Sequence, residues 1–321
     1  MAERELVVFG DWGTSRLRLM LFDGDMRLGQ VEGAGIGALA ASPADTLLTA
    51  LAPWREHHGL LRVVLCGMAG SRSGIVEAPY VPCPADSAGW ARRAADLALD
   101  GLTISVAPGV AGTAPSGAPD VMRGEETQVF GALALRPDLA EGDQTFVLPG
   151  THSKWCQVRD GRILSFQTFL TGEIFALLSA HSSLLLGADR TEDRAASAEG
   201  FEAGLSRARA GGLLGSLFEA RSSQLRVGRS GAWASGLLSG LTIGSEVEQA
   251  AVTFGAREVT IIGAEPLNAR YVPALRNHAV ATQTLSGEAC ALAGLQVFSA
   301  ARGGGQPHEL TVVSNRQICQ Q

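Results

Sequence analysis

The sequence lacks an excess of basic residues and lacks long apolar runs. Its 32 acidic residues outnumber the 26 lysines and arginines, for a formal net charge of −6. A chain with this net charge lacks the overall positive electrostatic potential that binds the phosphates of a nucleic-acid backbone. The N-terminal segment has no basic and apolar leader pattern, and charges interrupt every apolar run before it reaches membrane-spanning length. We expect no nucleic-acid partner, no membrane partner and a cytoplasmic location.

Paired cysteines and the common phosphate-binding signatures are also missing. The five cysteines are scattered, with no Cys-x-x-Cys pair and no histidine at zinc-ligand spacing, which predicts reduced thiols. There is no Gly-x-x-x-x-Gly-Lys-Ser/Thr string. The stretch GAGIGA at residues 33–38 resembles a dinucleotide fingerprint, but the run before it is too polar for a buried strand. A nicotinamide-dependent enzyme is therefore disfavoured.

Apolar residues are plentiful. They make up 46% of the 321 residues, against 18% charged residues, which is enough for a substantial core. This length suits about two domains, and a two-lobed enzyme with a cleft is the natural expectation.

Local signals predict several elements. Ser42 and Gly59 should cap a helix that runs from Pro43 to about His57. The segment LTISVAPGVAG reads as one strand, and RGEETQVFGALAL reads as a helix with two glutamates in its first turn. A helix is expected around 175–185, a polar loop over 188–200 and a last helix over GEACALAGLQVFSA.

The same pattern opens both halves of the chain. LVVFGDWGTSRLRLMLFDGD and TFVLPGTHSKWCQVRDGRILSF each read as strand, Gly-Thr turn, strand, Asp-Gly turn. Aligned by eye, residues 13–15 match residues 150–152. This repetition predicts a duplicated architecture in which two lobes present their glycine turns to one cleft.

Turns of this composition suit phosphate. Consecutive backbone N–H groups and hydroxyls form a concave anion-binding nest, and an adjacent carboxylate such as Asp11 can hold Mg²⁺ through water. One such turn alone could be an ordinary tight turn. Two of them, with Arg16 and Lys154 to offset developing charge, indicate nucleotide phosphates and phosphoryl transfer.

A phosphoryl-transfer enzyme also needs a group that deprotonates the acceptor hydroxyl. Asp120, Glu125 and Glu126 cluster near a helix start and are the candidates, although helix-capping surface acids would look the same. Arg72 and Arg123 lie at or after strand ends, where either could pair with a substrate carboxylate or simply be solvated.

With these motifs the chain resembles the acetate and sugar kinase/Hsc70/actin superfamily and, within it, the 2-dehydro-3-deoxygalactonokinase family. The segments that carry the resemblance extend over nearly the whole chain: DWGTSRLR, GMAGSRSGIVEAPYVPCPA, DVMRGEETQVFG, LPGTHSKW, FQTFLTGEIFALLSAHSSL and SGLLSGLTIGSE. The combination of RGEETQ, LPGTHSKW and TGEIF is its most specific part.

The resemblance implies an α/β fold of the two-lobed actin-like ATPase (ribonuclease H-like) type, with duplicated mixed sheets and a central cleft. It implies an N-terminal lobe over 1–140 with the first phosphate hairpin and the sugar-acid site, a C-terminal lobe over 141–300 with the second hairpin and the adenosine site, and a flexible tail over 301–321. The implied reaction is ATP- and Mg²⁺-dependent phosphorylation of the 6-hydroxyl of 2-dehydro-3-deoxy-D-galactonate.

The resemblance also implies residue roles. Glu125 is the implied base, with Asp120 in reserve and Asp11 near the metal through water. The implied phosphate-binding residues are Gly13, Thr14, Ser15, Arg16, Gly150, Thr151, His152, Ser153 and Lys154. The adenosine loop corresponds to Gly263, Ala264 and Glu265, where many superfamily members have consecutive glycines, and the residues near the sugar acid are Arg72, Tyr80 and Arg123.

Other functions stay open at this point. A kinase of another sugar or sugar acid differs only in a few pocket contacts. An exopolyphosphatase-like phosphohydrolase of the same fold would need a long basic channel, which the net charge of −6 does not suggest. A non-catalytic ATP-binding sensor would not need Glu125. The expected partner is a small sugar acid, bound by a monomer or homodimer.

Overall fold

The computed structural model describes residues 6–59, 61–189 and 191–303, and the backbone of Thr311–Val312. In chain order the strands are β1 (Leu6–Trp12), β2 (Arg16–Asp23), β3 (Met26–Ala34), β4 (Arg62–Gly67), β5 (Tyr80–Pro82), β6 (Ala95–Leu99), β7 (Leu102–Val106), β8 (Gly109–Thr113), β9 (Pro119–Met122), β10 (Asp143–Leu148), β11 (Ser153–Arg159), β12 (Arg162–Phe169), β13 (Glu258–Gly263), β14 (Ala281–Ser286) and β15 (Thr311–Val312).

The α-helices are α1 (Pro43–His58), α2 (Ser87–Ala91), α3 (Glu125–Leu135), α4 (Thr171–His181), α5 (Arg194–Ser216), α6 (Glu219–Val227), α7 (Gly231–Phe254), α8 (Glu265–Arg276) and α9 (Gly287–Arg302). Short 3-10 helices cover Ile36–Ala38, Met68–Gly70, Pro137–Ala140 and Ser183–Leu185. Over the described residues, no helix combines the length and the apolar character needed to cross a membrane.

The strands form three sheets. Their orders are β15-β6-β7-β4-β1-β2-β3, β12-β11-β10-β13-β14 and β5-β8-β9. In both larger sheets the first strand, β1 or β10, lies between the next strand of the chain and a parallel strand that follows a helix, β4 or β13. This shared order confirms the predicted α/β class with duplicated mixed sheets of the ribonuclease H-like, actin-type fold.

Two compact units divide the chain. The first comprises Met1–Asp143, Val158–Ser165 and Gly287–Gln321, and the second comprises Gln144–Gln157 and Phe166–Ser286. The resemblance implies lobes over 1–140 and 141–300 and a tail over 301–321. The structure instead groups α9 with the first unit, because α9 packs tightly on α3. A Cβ on Gly131 would lie 1.8 Å from the Cys290 carbonyl oxygen, and one on Gly294 would lie 1.9 Å from that of Thr127.

The core of the first unit follows from the alternation in β2. Leu17, Leu19 and Leu21 are buried on one face of the sheet and pack in one cluster with Leu47 and Leu51 of α1. Burying side chains of this size contributes roughly 1.5–3 kcal/mol each. The register of β2 is therefore fixed, and with it the position of the turn between β1 and β2.

The core of the second unit forms around α7. Most of this helix is buried, and small residues let α5 approach closely: a Cβ on Gly236 or Gly240 would lie 2.1 Å from a carbonyl oxygen of α5. Trp155 of β11 stacks on Phe254 at the end of α7, with ring centroids 5.6 Å apart. Such contacts leave α7 little freedom to shift.

Local sequence signals predicted several elements correctly. Helix α1 is capped by Ser42 and Gly59, and α3 begins with both glutamates in its first turn. The expected strand LTISVAPGVAG is wrong in part, since it is split into β7 and β8 around Ala107-Pro108. The expected loop over 188–200 is shorter, because Asp193 caps α5 by accepting a hydrogen bond from the Ala196 amide.

The cysteine and tail predictions have separate outcomes. Four cysteines of the described segments are free thiols, as expected: Cys66, Cys83, Cys156 and Cys290. Cys319 lies outside the described residues. The predicted flexible tail over 301–321 falls largely outside them too; α9 extends to Arg302, and Thr311–Val312 pair with β6.

Candidate active site

In the first unit, candidate residues gather where the parallel strands β1 and β4 end. Asp11 lies opposite Cys66, and Trp12 lies opposite Gly67. The Cys66 thiol is 3.8 Å from Asp11 Oδ1, and burial together with the charges of Asp11 and Glu126 raises the pKa of that thiol. The carboxyl ends of parallel strands are where α/β folds place their ligands.

The carboxyl of Asp11 has a raised pKa. Burial is the largest cause, and Glu125 and Glu288 raise it further, while the Arg18 guanidinium lowers it. Asp11 therefore lies within electrostatic reach of two other acids, one at the start of α3 and one in the first turn of α9. Repulsion among carboxylates of this kind favours a proton or a cation at the site.

A glycine contact brings the first turn of α3 to these strand ends. Gly124 has a φ of +110°, and a Cβ there would lie 3.2 Å from Gly67 Cα. The Gly124 amide donates to both carboxylate oxygens of Glu126, at 2.9 and 2.8 Å, and Thr127 Oγ1 donates to Glu126 Oε1 at 3.1 Å. Burial and the neighbouring Glu125 raise the pKa of Glu126 to about 8.

The two glutamates differ in accessibility. Glu126 is fully buried, whereas Glu125 is only partly buried. Glu125 Oε2 accepts a hydrogen bond of 3.0 Å from the Arg123 amide. Of the two, Glu125 is the acid that a bound molecule can reach.

Arg123 and Tyr80, both predicted near a sugar acid, lie together. The Arg123 guanidinium stacks over the Tyr80 ring at 4.2 Å from the centroid, and its Nη2 donates to the Ala78 carbonyl oxygen at 2.8 Å. Its Nε and Nη1 are buried without a hydrogen-bond partner in the described part of the chain. Unsatisfied donors on a desolvated cation are costly, and an anion would satisfy them.

Arg72 and Asp120 are placed differently. The Arg72 side chain is 89% exposed and forms an ion pair of 3.1 Å with Glu77. Asp120 is on β9 of the small sheet, where its Oδ1 accepts a hydrogen bond of 2.7 Å from the Val121 amide. Their roles in binding and catalysis stay predictions.

The turn between β1 and β2 is exposed at its tip. The Gly13 amide donates to the Arg16 carbonyl oxygen at 2.9 Å, and Thr14, Ser15 and Arg16 are exposed. The glycine string at 33–38 supports this turn: the Gly37 amide donates to the Thr14 carbonyl oxygen at 2.9 Å. Gly35 and Gly37 pack on the turn, and Ile36–Ala38 form a short 3-10 helix within the string, so the glycines serve this packing and do not open a dinucleotide-binding helix.

In the second unit, the turn between β10 and β11 has an exposed part and a buried part. Thr151 and His152 are exposed, and His152 Nε2 lies 2.5 Å from Glu173 Oε2. Ser153 is buried and donates to Glu246 Oε1 at 2.7 Å, so its hydroxyl is already engaged. Lys154 is 3% exposed, and its Nζ donates to the His152 carbonyl oxygen at 3.3 Å.

The start of α4 packs directly on this turn. A Cβ on Gly172 would lie 2.4 Å from the Gly150 carbonyl oxygen, so only glycine fits there. The Glu173 amide donates to the Thr151 carbonyl oxygen at 2.9 Å. The turn conformation is thus fixed from the helix side.

The predicted adenosine loop follows the neighbouring parallel strand β13. Gly263 lies near Pro149, since a Cβ on Gly263 would be 3.5 Å from Pro149 Cδ. Asn268 Nδ2 donates to the Gly263 carbonyl oxygen at 3.2 Å, and Ala264 and Glu265 are exposed at the start of α8. The loop and the second turn therefore share one sheet edge within this unit.

A cavity of about 1120 Å³ opens beside α8. It lies among α4, α5, α7 and α8, and it is lined in part by Phe175, Phe201, Ala232, Pro266, Arg270 and Pro273. Arg270 stacks toward Phe201 and donates to Ser239 Oγ at 2.6 Å. A mainly apolar cavity with a few charged groups is typical of a ligand site.

Sequence reasoning missed several residues of these regions. Arg18, Glu288 and Cys66 act on Asp11, and Glu246 holds the second turn. Glu288 is an acid in the first turn of a predicted helix, which is a recognisable sequence pattern, but no pattern in the neighbouring sequence indicated that it lies near Asp11. Within the described part of the chain, no three or more His, Cys, Asp or Glu side chains are grouped to ligate a metal directly.

Comparisons with known proteins agree on one family. A family model described as 2-keto-3-deoxy-galactonokinase matches residues 11–298. A protein of Rhizobium meliloti (strain 1021), named as a probable 2-dehydro-3-deoxygalactonokinase, is 34% identical over 296 residues, covering 91% of this chain and 95% of its own. The 2-dehydro-3-deoxygalactonokinase of Escherichia coli (strain K12) is 34% identical over 290 residues, covering 89% and 94%.

A solved structure gives the same result. The crystal structure of a candidate 2-dehydro-3-deoxygalactonokinase protein from Sinorhizobium meliloti superposes with a TM-score of 0.82 at 32% identity, covering 95% of this chain and 98% of its own. The residues that the family model matches, 11–298, extend over both units. The chain belongs to the 2-keto-3-deoxy-galactonokinase family.

Proposed function

We propose that this protein is an ATP-dependent kinase that phosphorylates the 6-hydroxyl of 2-dehydro-3-deoxy-D-galactonate. Family membership supports the reaction, and the observation that carries the substrate class is Arg123. Its guanidinium has two buried nitrogen atoms without a hydrogen-bond partner among the described residues. A carboxylate, which accepts charge-assisted hydrogen bonds, is a ligand that suits such a group. A sugar acid supplies that carboxylate, whereas a neutral hexose does not.

We propose Glu125 as the general base. It is the accessible member of the Glu125–Glu126 pair, and its carboxylate is fixed by the amide of Arg123, the residue assigned to the substrate carboxylate. Because Arg123 would contact both the base and the substrate carboxylate, the distance between the base and the bound substrate would stay constant. Glu126, fully buried and bonded to Gly124, supports the helix start instead.

Asp11 is the residue proposed to hold Mg²⁺, through water. Its pKa is raised by burial and by nearby glutamates, a charge imbalance that a divalent cation offsets. Mg²⁺ typically binds proteins through one or two carboxylates and keeps several waters, so this donor set fits it. When bound, the ion neutralises charge on the transferring phosphoryl group.

Phosphate binding is assigned to the two glycine turns. In the first, the exposed Thr14, Ser15 and Arg16 supply hydroxyl, amide and guanidinium donors. In the second, the partly buried Gly150 and the exposed Thr151 and His152 supply donors, while the hydrogen bonds of the buried Ser153 and Lys154 support the turn from within the unit. The nucleoside is assigned to the cavity beside α8 and to the loop of Gly263, Ala264 and Glu265.

We further propose that the enzyme works in the cytoplasm as a monomer or homodimer, without nucleic-acid or membrane partners. Light scattering during size-exclusion chromatography measures the oligomeric state, and a mass of three or more chains would contradict the proposal.

The experiment that tests the function is a coupled ADP-release assay with Mg-ATP. The acceptors are 2-dehydro-3-deoxygalactonate, its gluconate epimer, galactose, glucose and none. We expect turnover with the deoxy-keto acids and none with the neutral hexoses. Turnover with hexoses alone would indicate another sugar kinase, and phosphate release without any acceptor would indicate a phosphohydrolase.

A further inference from the structure

Glu246, in the buried part of α7, is the centre of a hydrogen-bond network in the second unit. It is 3% exposed. Its Oε1 accepts from Ser153 Oγ at 2.7 Å and from Trp155 Nε1 at 2.8 Å, and its Oε2 accepts from the Tyr271 hydroxyl at 2.7 Å. The side chain of Thr171 forms a further hydrogen bond with it. Four donors converge on one buried carboxylate.

The donors come from the elements that carry the nucleotide-side residues. Ser153 and Trp155 begin β11, directly after the second glycine turn. Thr171 begins α4, whose first turn packs on Gly150. Tyr271 is on α8, the helix that follows Gly263. One carboxylate therefore connects the turn, the helix that covers it and the helix that follows the adenosine loop.

A fixed helix holds this carboxylate in place. Gly236, Gly240 and Gly244 of α7 pack against α5 at distances that leave no room for a side chain. Glu246 continues the same helix toward its C-terminus. Its position is thus set by α5 and α7, elements outside the turn that it supports.

Stability alone does not explain a carboxylate at this point. Removing a carboxylate from water is costly, and well-packed apolar residues of similar size often stabilise a core at least as well. A carboxylate does something that an apolar side chain cannot: each of its hydrogen bonds fixes the orientation of one donor side chain.

We propose that Glu246 is a positioning residue for nucleotide binding, which fixes the Gly150–Lys154 turn and the start of α8 in the conformation that receives ATP. The inference rests on the proposed kinase function. It predicts that damage to the network weakens ATP binding while leaving the interaction with the sugar acid unchanged.

The test compares three full-length variants with the wild type. Tyr271→Phe removes the hydroxyl that donates to Glu246 Oε2 at 2.7 Å and lies 3.4 Å from Ser153 Oγ, and Glu246→Gln keeps the shape and removes the charge. Ser105→Ala is the matched control: Ser105 Oγ also donates a buried 2.7 Å hydrogen bond to a carboxylate, that of Asp96 in the first unit. Each variant is measured for KM of ATP, KM of the sugar acid, Tm, and hydrogen exchange of the amides at 150–154 without ligand.

We expect KM for ATP to rise about threefold in Tyr271→Phe and about tenfold in Glu246→Gln, the effect of weakening one and several hydrogen bonds to a charge. KM for the sugar acid stays unchanged, and the turn amides exchange faster. Ser105→Ala lowers Tm and leaves both KM values and the turn amides as in the wild type.

A purely structural role has a different signature. If Tyr271→Phe and Glu246→Gln lower Tm as Ser105→Ala does, with KM for ATP and turn exchange unchanged, the inference is overturned. If the wild type turns over no acceptor, the kinase proposal fails separately. Hydrogen exchange with and without Mg-ATP then decides whether Glu246 orders the turn.

Discussion

The two units begin with the same strand order and use acidic residues in opposite ways. In the first unit, Asp11 ends the opening strand and lies partly accessible, within reach of Glu125 and Glu288. In the second, the corresponding strand ends in Leu148, which is 2% exposed, and the important acid is Glu246, buried beneath the turn. The first unit thus places carboxylates at its strand ends, where we propose that the chemistry occurs, and the second buries one beneath its turn, where we propose that it positions the turn.

This contrast shows that topology does not determine function on its own. Both turns are formed by the same strand arrangement, yet their acids differ: Asp11 lies within electrostatic reach of Glu125 and Glu288, whereas the second turn pairs His152 with Glu173 and rests on the buried Glu246. Substitutions in the two units test this contrast, and that of Glu125 is expected to have the largest effect.

Glu125→Gln should have the largest effect. Loss of a general base lowers kcat on the order of 100-fold to 10,000-fold. Because Glu125 is only partly buried, Tm should change little. Steady-state kinetics and a thermal melt measure both, with the exposed Glu56→Gln of α1 as the control. A kcat equal to that of the control would remove Glu125 from catalysis and favour Asp11 or Asp120.

Arg123→Ala should come next. Loss of a charged hydrogen-bond pair of this kind costs about 1.5–3 kcal/mol, so kcat/KM for the sugar acid should fall roughly 10-fold to 100-fold. KM for ATP should not change. Arg136→Ala, which breaks the exposed ion pair with Asp138, is the matched control. A smaller loss is expected from Arg72→Ala, because the Arg72 side chain is exposed. If Arg72→Ala caused the larger loss, Arg72 and not Arg123 would be the residue that binds the substrate carboxylate.

Gly124→Ala should have an intermediate effect on stability and activity. The φ of +110° is unfavourable for alanine, and the new Cβ would press on Gly67. We expect a loss of about 1–3 kcal/mol in the free energy of unfolding and reduced kcat, measured by urea denaturation and kinetics. Gly142→Ala is the control, because Gly142 has a φ of +66° and open space around it. It measures the cost of placing alanine at a positive φ without a steric contact. Equal losses in both variants would mean that the contact with Gly67 is unimportant.

Glu126→Gln should have the smallest effect and a defined pH dependence. The pKa of about 8 in the folded protein exceeds the ordinary value of about 4.3. The folded state therefore keeps a proton that the unfolded state releases, and stability falls as pH rises from about 4.3 to about 8. Glutamine cannot ionise, so the variant should lose less Tm than the wild type between about pH 5 and pH 8. Parallel Tm curves would mean that Glu126 is ionised throughout.

The sequence predicted the parts of this molecule that depend on local signals. Ser42 and Gly59 mark the ends of α1, because helix capping acts within one turn. The two Gly-Thr turns mark the strand-turn-strand unit that opens each half of the chain, because the residue preferences of hairpin turns are local. Asp193 carried an equally local capping signal for α5, which the loop prediction overlooked.

The remaining features depend on contacts between distant residues. Glu246 lies in an apolar helix without a distinguishing pattern, and its bond to Ser153 spans 93 residues of sequence. The stacking of Arg123 on Tyr80 requires the small sheet of β5, β8 and β9, whose strands are too short for a clear alternation. The grouping of α9 with α3 depends on two close glycine contacts that only the assembled unit reveals.

The most direct test of the central claim is ³¹P NMR of a reaction containing the enzyme, Mg-ATP and 2-dehydro-3-deoxygalactonate. We predict the signals of ADP and of a new phosphomonoester, with coupling to the protons of the terminal carbon of the sugar acid. The appearance of ADP and inorganic phosphate alone, or of a phosphomonoester only when a neutral hexose replaces the acid, would contradict the account.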